Sequence, residues 1–345
     1  MDTTDLDRLG SWMDTQDLPG AGEAVDCTAI SGGSQNEIFG IRRGDLHCAL
    51  RKPPEDAPAG RDDGILREWR IIEALGGTDV PHTEAIAVCT DTSVLGCTFY
   101  LMGFVHGWSP VGLGQWPSPF DDDLDARRGL AFQLVDGIAR LSKVNWRDRG
   151  LGDLGRPDGF HERQVDRWLR FHDRVKTRDI PGLDVASDWL RVHRPIDYVA
   201  GIMHGDYQFA NVMYQHGAPA RLAAIVDWEM GTVGDPKLDL GWVLQMWPDN
   251  TTAAVDVPIG AAYADITGMP GKAELLDYFR GETGRQVDDI DYYLILARWK
   301  LGIVLEQGYM RVMRGQGDEK QKAFGPLVLD LIKRAADLAE TTDYA

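Results

Sequence analysis

Between residues 24 and 105 the hydrophobic pattern repeats every two residues in five short runs and every 3.6 in one. Ala24–Ser31, Glu37–Arg42, His47–Arg51, Ala85–Cys89 and Thr98–Phe104 read as strands. Ile65–Leu75 reads as a helix, with Ile65, Trp69, Ile72 and Leu75 on one face. The order β-β-β-α-β-β predicts a five-stranded sheet carrying one helix. Residues 1–22 read as an amphipathic helix (Leu6, Leu9, Trp12, Met13) that ends at Pro19-Gly20. Beyond residue 105 the period is helical over Ala126–Val144, His161–Arg178, Ala186–Val192, Lys272–Arg280, Asp288–Met313 and Phe324–Leu338, interrupted by short strands and loops near 201–242. The expected architecture is α+β and bilobal: an N-terminal helical extension (1–23), a small β lobe (24–105) and a larger, mainly helical lobe (106–345). Ligands favour the cleft between two such lobes.

Composition narrows the function. The 345 residues correspond to about two folding units at roughly 150 residues each. With 54 acidic against 36 basic residues the chain carries −18, which argues against indiscriminate binding to nucleic acid or anionic membrane. The first residues are acidic where a secretory leader needs a basic, then apolar start. Tyr292–Met313, the most apolar late stretch, is interrupted by Arg298, Lys300 and Glu306, so a buried helix is expected there and no membrane span. A soluble, cytoplasmic protein is the expectation. Cys27, Cys48, Cys89 and Cys97 form no C-x-x-C pair and are expected to be reduced, packed thiols. The eight histidines show no H-x-x-x-H pairing that would point to a transition metal.

The chemistry concentrates in His204-Gly205-Asp206-Tyr207-Gln208-Phe209-Ala210-Asn211 and in Ile225-Val226-Asp227-Trp228-Glu229. In an H-x-D-x-x-x-x-N element the aspartate can accept the proton of an attacking hydroxyl, and the asparagine offers a hard oxygen to Mg²⁺. A second aspartate closing an apolar strand supplies a carboxylate to hold Mg²⁺ on nucleotide phosphates. Phosphoryl transfer is mostly positioning plus neutralisation of oxygen charge, so it needs both carboxylates. Sixteen residues separate Asn211 from Asp227, enough for a hairpin that brings them to one site.

On these residues the chain resembles the aminoglycoside phosphotransferase/choline kinase family, which has the protein-kinase-like fold. The resemblance covers about residues 25–340. It is closest to the phosphotransferase domains associated with acyl-CoA dehydrogenases, through Leu50-Arg51-Lys52-Pro53-Pro54, Arg67-Glu68-Trp69-Arg70, Val94–Met102, and Asp227-Trp228-Glu229 followed by Gly234-Asp235-Pro236. It implies Asp206 as catalytic base, Asn211 and Asp227 as magnesium ligands, ATP or GTP as donor, and a small-molecule hydroxyl as acceptor.

The first lobe carries candidate accessories. Ser31, Gly32, Gly33, Ser34 and Asn36 sit in a turn between two strands, whose N–H groups could cover phosphates. On the third strand the family places a lysine over the α- and β-phosphates. Matching Leu50-Arg51 to that pattern puts Arg51 there, and arginine grips phosphate bidentately. Strand alternation sets Arg51 and Lys52 on opposite faces, and Lys52 stays open as the alternative. Glu68 is the expected ionic partner on the helix. Met102, Gly103 and Val105 stand where the family presents backbone hydrogen bonds to adenine. Gly205 replaces the arginine that reads activation-loop phosphate in protein kinases, which argues against protein substrates. His204 and Asp239 are expected to be scaffold.

Three activities compete: a kinase of a small anionic hydroxy compound such as a hydroxyacyl-CoA, an aminoglycoside kinase, and a nucleotide-binding pseudokinase scaffold. Residues 1–105 carry −10 and residues 106–345 only −8, so acidity is concentrated away from the acceptor side. Arg163, Arg167, Arg170 and Arg174 align on one face of the helix His161–Arg178, opposite Val165, Trp168, Leu169 and His172. Such a stripe could hold phosphate or carboxylate. Arg163, Arg167, Trp168 and Glu229 are the candidate acceptor contacts.

Overall fold

The computed structural model describes residues 2–30, 36–57, 60–110, 113–176, 178–247 and 266–344. Five antiparallel strands, β1 (Asp26–Ile30), β2 (Glu37–Arg43), β3 (Leu46–Lys52), β4 (Ala85–Cys89) and β5 (Phe99–Gly103), form a sheet in the order β1-β2-β3-β5-β4. Gly44, at φ +53°, turns the chain between Arg43 and Leu46, a backbone region open to glycine at no steric cost. After β3 the chain leaves the sheet to form α2 (Arg61–Leu75) and returns as edge strand β4, which leaves β5 to pair with β3.

Alternation gives the sheet two different faces. On one, Ile41, Cys48, Leu50 and Leu101 are buried with Leu9 and Met13 of α1 (Thr3–Thr15). On the other, Arg51 and Tyr100 face α2, whose Trp69 ring lies 5.9 Å from that of Tyr100. Helix α1 stops at Thr15, ahead of the expected end at Pro19-Gly20, because Asp17 already takes a left-handed backbone.

The second lobe is helical: α4 (Leu124–Lys143), α5 (Phe160–Val175), α6 (Leu183–Val192), α7 (Lys237–Leu244), α8 (Lys272–Thr283), α9 (Ile290–Met313) and α10 (Phe324–Thr341). Two hairpin-like pairs lie among them: β6 (Gly201–Met203) with β9 (Thr232–Gly234), and β7 (Val212–Tyr214) with β8 (Leu222–Ile225). Helix α9 runs through the core, burying Tyr292, Tyr293 and Trp299. Among the described residues no helix is long and apolar enough to cross a membrane.

Three further elements differ from expectation. α7 is a helix where strands and loops were expected, since Leu238-Asp239-Leu240-Gly241 is buried on every side and shows no periodic contrast. α3 (Thr92–Leu95), capped by Asp91 on the Ser93 N–H at 2.9 Å, is one turn and too short to carry a period. α5 ends at Val175 and not at Arg178. Lys176 is extended, and Arg178 reaches across to Glu306 of α9 with its Nη2 2.6 Å from Oε2. The four cysteines are unpaired thiols, Cys48 and Cys89 buried and the other two half-buried.

Candidate active site

The loop after β6 is anchored from beneath. Buried Asp239 of α7 accepts the N–H of His204 at 2.7 Å and of Gly205 at 2.9 Å. His204 Nε2 lies 2.8 Å from the Val226 carbonyl, which can only accept, so that nitrogen carries the proton. Its Nδ1 is then an acceptor for the Asp206 N–H at 3.3 Å. Both ring nitrogens are engaged, and His204 is scaffold, as Asp239 is. Gly205 sits at φ +83°, where an added Cβ would lie 2.6 Å from the Met230 carbonyl oxygen, so a side chain is excluded at that position.

Asp206 is held by three donors. Trp242 Nε1 (2.9 Å) and Gln208 Nε2 (3.0 Å) donate to Oδ1, and Asn211 Nδ2 (2.9 Å) donates to Oδ2. Asn211 follows on a short 3₁₀ turn and spends its amide N–H groups on Asp206, which leaves its carbonyl oxygen as the acceptor end. The expected hairpin exists: Val212 pairs with Ile225, and the Val226 N–H donates to the Asn211 carbonyl at 2.9 Å. That bond sets Asp227 one residue beyond the pairing, on the same cleft as Asn211. Asp227 has φ +65°, ψ +63°, a left-handed conformation uncommon outside glycine and characteristic of strained functional positions.

From the first lobe Arg51 bridges to this loop. Its Nε lies 2.7 Å from Glu68 Oε2 and its Nη2 2.6 Å from Asp227 Oδ1. Glu68 also accepts Asn36 Nδ2 at 3.0 Å and Tyr100 Oη at 3.1 Å. Burial alone would favour loss of the Arg51 proton, but the Glu68 and Asp227 carboxylates hold the guanidinium charged, above the ordinary arginine range. Lys52 points to the opposite face, paired with Glu37 at 2.6 Å and beside the Phe39 ring.

Between the lobes lies a cavity of about 230 Å³ whose apolar walls include Ile30, Ile38, Ala49 and Met213. Met102, Gly103 and Val105 line it, as do Arg51, Asn211 and Asp227. Ser31, Gly32, Gly33 and Ser34 lie outside the described residues. The donor set that Asn211 and Asp227 bring to the cleft, one amide oxygen and one half-exposed carboxylate, is hard oxygen and fits Mg²⁺.

A second cavity, of about 270 Å³, is lined by Gly205, Glu229, Arg167, Trp168 and Lys300. Burial lifts the Glu229 carboxyl to about 7, and the Asp227 and Glu68 charges reinforce the rise. Buried Lys300 donates to the Gly205 carbonyl at 3.3 Å and lies against Trp168 and Trp242, 5.3 and 4.6 Å from the ring centroids. Burial lowers it to about 8, against the pull of Asp206 and Asp239. Arg163 is turned to backbone carbonyls of Asp158 and Arg156 and lines the neighbouring pocket. Arg174 leaves the stripe to lie over the Phe171 ring. Sequence reasoning missed Lys300, Trp242, Gln208 and Arg67. For Lys300 the signal was present, a lone lysine inside an apolar helix, but it served only to exclude a membrane span.

The family description "Phosphotransferase enzyme family" matches residues 26–276. The chain belongs to that family, and its kinase-like fold places it among the phosphotransferases. It is 26% identical over 331 residues to acyl-CoA dehydrogenase family member 11 of Gallus gallus, a match covering 93% of this chain and 41% of the relative. Family member 10 of Mus musculus is 26% identical over 89% of this chain and 28% of its own length. The chain thus spans well under half of these relatives. Among solved structures, a Ralstonia eutropha protein provisionally named an aminoglycoside phosphotransferase superposes with TM-score 0.81 at 27% identity, covering 97% of this chain and 98% of its own. The aminoglycoside phosphotransferase APH(4)-Ia in ternary complex with ADP and hygromycin B shares the fold alone, with TM-score 0.62 at 14% identity over 92% and 96% of the two chains.

Proposed function

We propose that the chain is a magnesium-dependent kinase that moves the γ-phosphoryl group of ATP to a hydroxyl of a small anionic molecule, a hydroxyacyl-CoA or a related metabolite. Arg51, Asn211 and Asp227 line one cleft, with Asp206 bonded to Asn211 and Glu68 to Arg51, and that arrangement supports this reading. The nucleotide base fits the apolar walls, with backbone groups of Met102–Val105 at its edge. Arg51, held by Glu68, is aimed at the phosphates. A magnesium ion on Asn211 and Asp227 would neutralise phosphate charge when bound.

Asp206 is kept as an oriented acceptor by Trp242, Gln208 and Asn211. As the acceptor oxygen forms its bond to the γ-phosphorus and the bond to the β-phosphate oxygen breaks, Asp206 takes the hydroxyl proton and ADP leaves. Arg167 and Lys300 around the adjoining cavity favour an anionic acceptor over a polycationic aminoglycoside.

Asp206→Ala is expected to lower turnover by ~10²–10⁴-fold with nucleotide affinity nearly unchanged. Asp227→Ala is expected to weaken binding of the magnesium nucleotide as well. Near-wild-type turnover of Asp206→Ala refutes the base. Absence of ATP and GTP binding by calorimetry refutes the kinase reading, and nucleotide binding without turnover on any acceptor favours the pseudokinase scaffold. Turnover of kanamycin-type aminoglycosides with no response to hydroxy acids or CoA esters refutes the acceptor class.

A further inference from the structure

A third pocket, of about 450 Å³, opens between α2, α5, residues 154–156 and β9. Among the described residues its charged lining is wholly guanidinium: Arg67, Arg156, Arg163, Arg167 and Arg170, with no aspartate or glutamate. It adjoins the acceptor-side cavity, with which it shares Arg67, Gln164, Arg167 and Thr232. One continuous groove therefore leads from Gly205, beside Asp206, to the arginines.

The positive charge is oriented and not quenched. Arg67 donates through Nε (2.9 Å) and Nη2 (2.7 Å) to the Gly231 carbonyl, and Arg163 donates to the carbonyls of Arg156 and Asp158. A carbonyl partner fixes a guanidinium without neutralising it. Burial lowers the Arg67 pKa and the Arg70 and Arg167 charges lower it further, while Asp153, paired with Arg70, draws it only partly back. On α5, Arg163, Arg167 and Arg170 follow at spacings of four and three, and Asp166, the acid one turn from Arg163 and Arg170, is paired instead with Arg191 of α6 at 2.9 Å. In a chain of net charge −18, five guanidinium groups gathered around one acid-free concavity demand a counter-charge. One carboxylate would match few of them. Phosphate presents several oxygens to bidentate arginine forks and carries up to two charges per group.

We propose that this pocket binds a phosphate-bearing end of the acceptor, a phosphate ester or pyrophosphate, so that the acceptor lies along the groove with its hydroxyl at Asp206. The direction of the acceptor rests on the reading of Asp206 as the transfer centre; the occupancy of the pocket does not.

The test uses the full chain saturated with Mg²⁺ and AMP-PNP, titrated calorimetrically with coenzyme A, adenosine 3′,5′-bisphosphate and inorganic pyrophosphate. Saturable binding is expected, weakened roughly tenfold or more in Arg167→Glu/Arg170→Glu and weakened as salt rises from about 50 to 300 mM. Arg156→Glu, an exposed loop position, is expected to weaken it as well and replaces the double variant if that one fails to fold. No saturable binding to the folded wild type overturns the proposal, as does undiminished binding in the charge-reversed variants. Binding of pyrophosphate with none of the two larger probes overturns the part that places the phosphate on the acceptor. Because none of the probes reacts, loss of phosphoryl transfer to hydroxyacyl-CoA with probe binding intact refutes the proposed function and leaves the pocket standing.

Discussion

The Arg51–Glu68 pair permits a test that separates stability from function. Both side chains are almost wholly enclosed, 6% and 2% exposed, and Glu68 is the acceptor for Asn36 and Tyr100 as well. Glu68→Ala leaves Arg51 with Asp227 alone and strands two further buried donors. Breaking a buried pair by removing one partner typically costs ~3–5 kcal/mol. Because Asp227 remains 2.6 Å from Arg51, the lower end, ~3 kcal/mol, is expected. For a chain of 345 residues that is a fall in melting temperature of about 4 °C, at ~1.4 °C per kcal/mol. Replacing both partners by apolar residues of similar volume, Arg51→Met/Glu68→Leu, removes the uncompensated charge and should recover part of the loss. The stranded Asn36 and Tyr100 donors keep recovery incomplete, at ~1–3 kcal/mol for an unsatisfied buried group. Nucleotide affinity should not recover at all, since the phosphate-facing cation is gone. Denaturant titration and calorimetry with Mg·ATP on the wild type and the two variants measure both quantities. A double variant as unstable as Glu68→Ala, or one that binds nucleotide like the wild type, refutes the argument.

The two lobes and the candidate residues proposed for transfer were legible because their signals are local. Strand period, one helix and an Asp–Asn–Asp spacing each occupy a few consecutive residues, and the Val212–Ile225 pairing follows from that spacing. The choice between Arg51 and Lys52 was not local. Alternation sets them on opposite faces, but which face meets the cleft is decided by α1, which covers the Leu50 side with Leu9 and Met13. Arg67 left no signal as a site residue, and for Lys300 the sequence showed a lysine in an apolar helix but not the cavity it reaches, because both contacts arise from the packing of α2 and α9 against distant loops. Helix α7 escaped because burial on all sides erases the contrast on which periodicity depends. The left-handed backbone of Asp227 leaves no trace in sequence, because aspartate is common in many conformations.

Three further outcomes follow. Arg51→Ala should raise the ATP requirement more than Lys52→Ala, since Lys52 faces Glu37 and not the cleft; the reverse ranking in saturation kinetics refutes the assignment of faces. Asp239→Ala, which releases the N–H groups of His204 and Gly205 in a buried site, should cost roughly 2–3 kcal/mol in denaturant unfolding and lower turnover with it; an effect below ~0.5 kcal/mol, the range of a surface change, shows that the loop is held elsewhere. Glu229, raised from 4.5 to about 7 first by burial and then by the Asp227 and Glu68 charges, binds its proton more tightly in the folded chain than in the unfolded one. Its contribution to stability is therefore complete below pH 4.5 and is lost as pH climbs to about 7, so wild type should lose stability relative to Glu229→Gln across that window. The same ionisation adds a negative charge beside Arg167 and Lys300, so KM for an anionic acceptor should rise through pH 7 in the wild type and flatten in Glu229→Gln, and superimposable pH profiles of KM for the two proteins refute a role for Glu229 in acceptor binding.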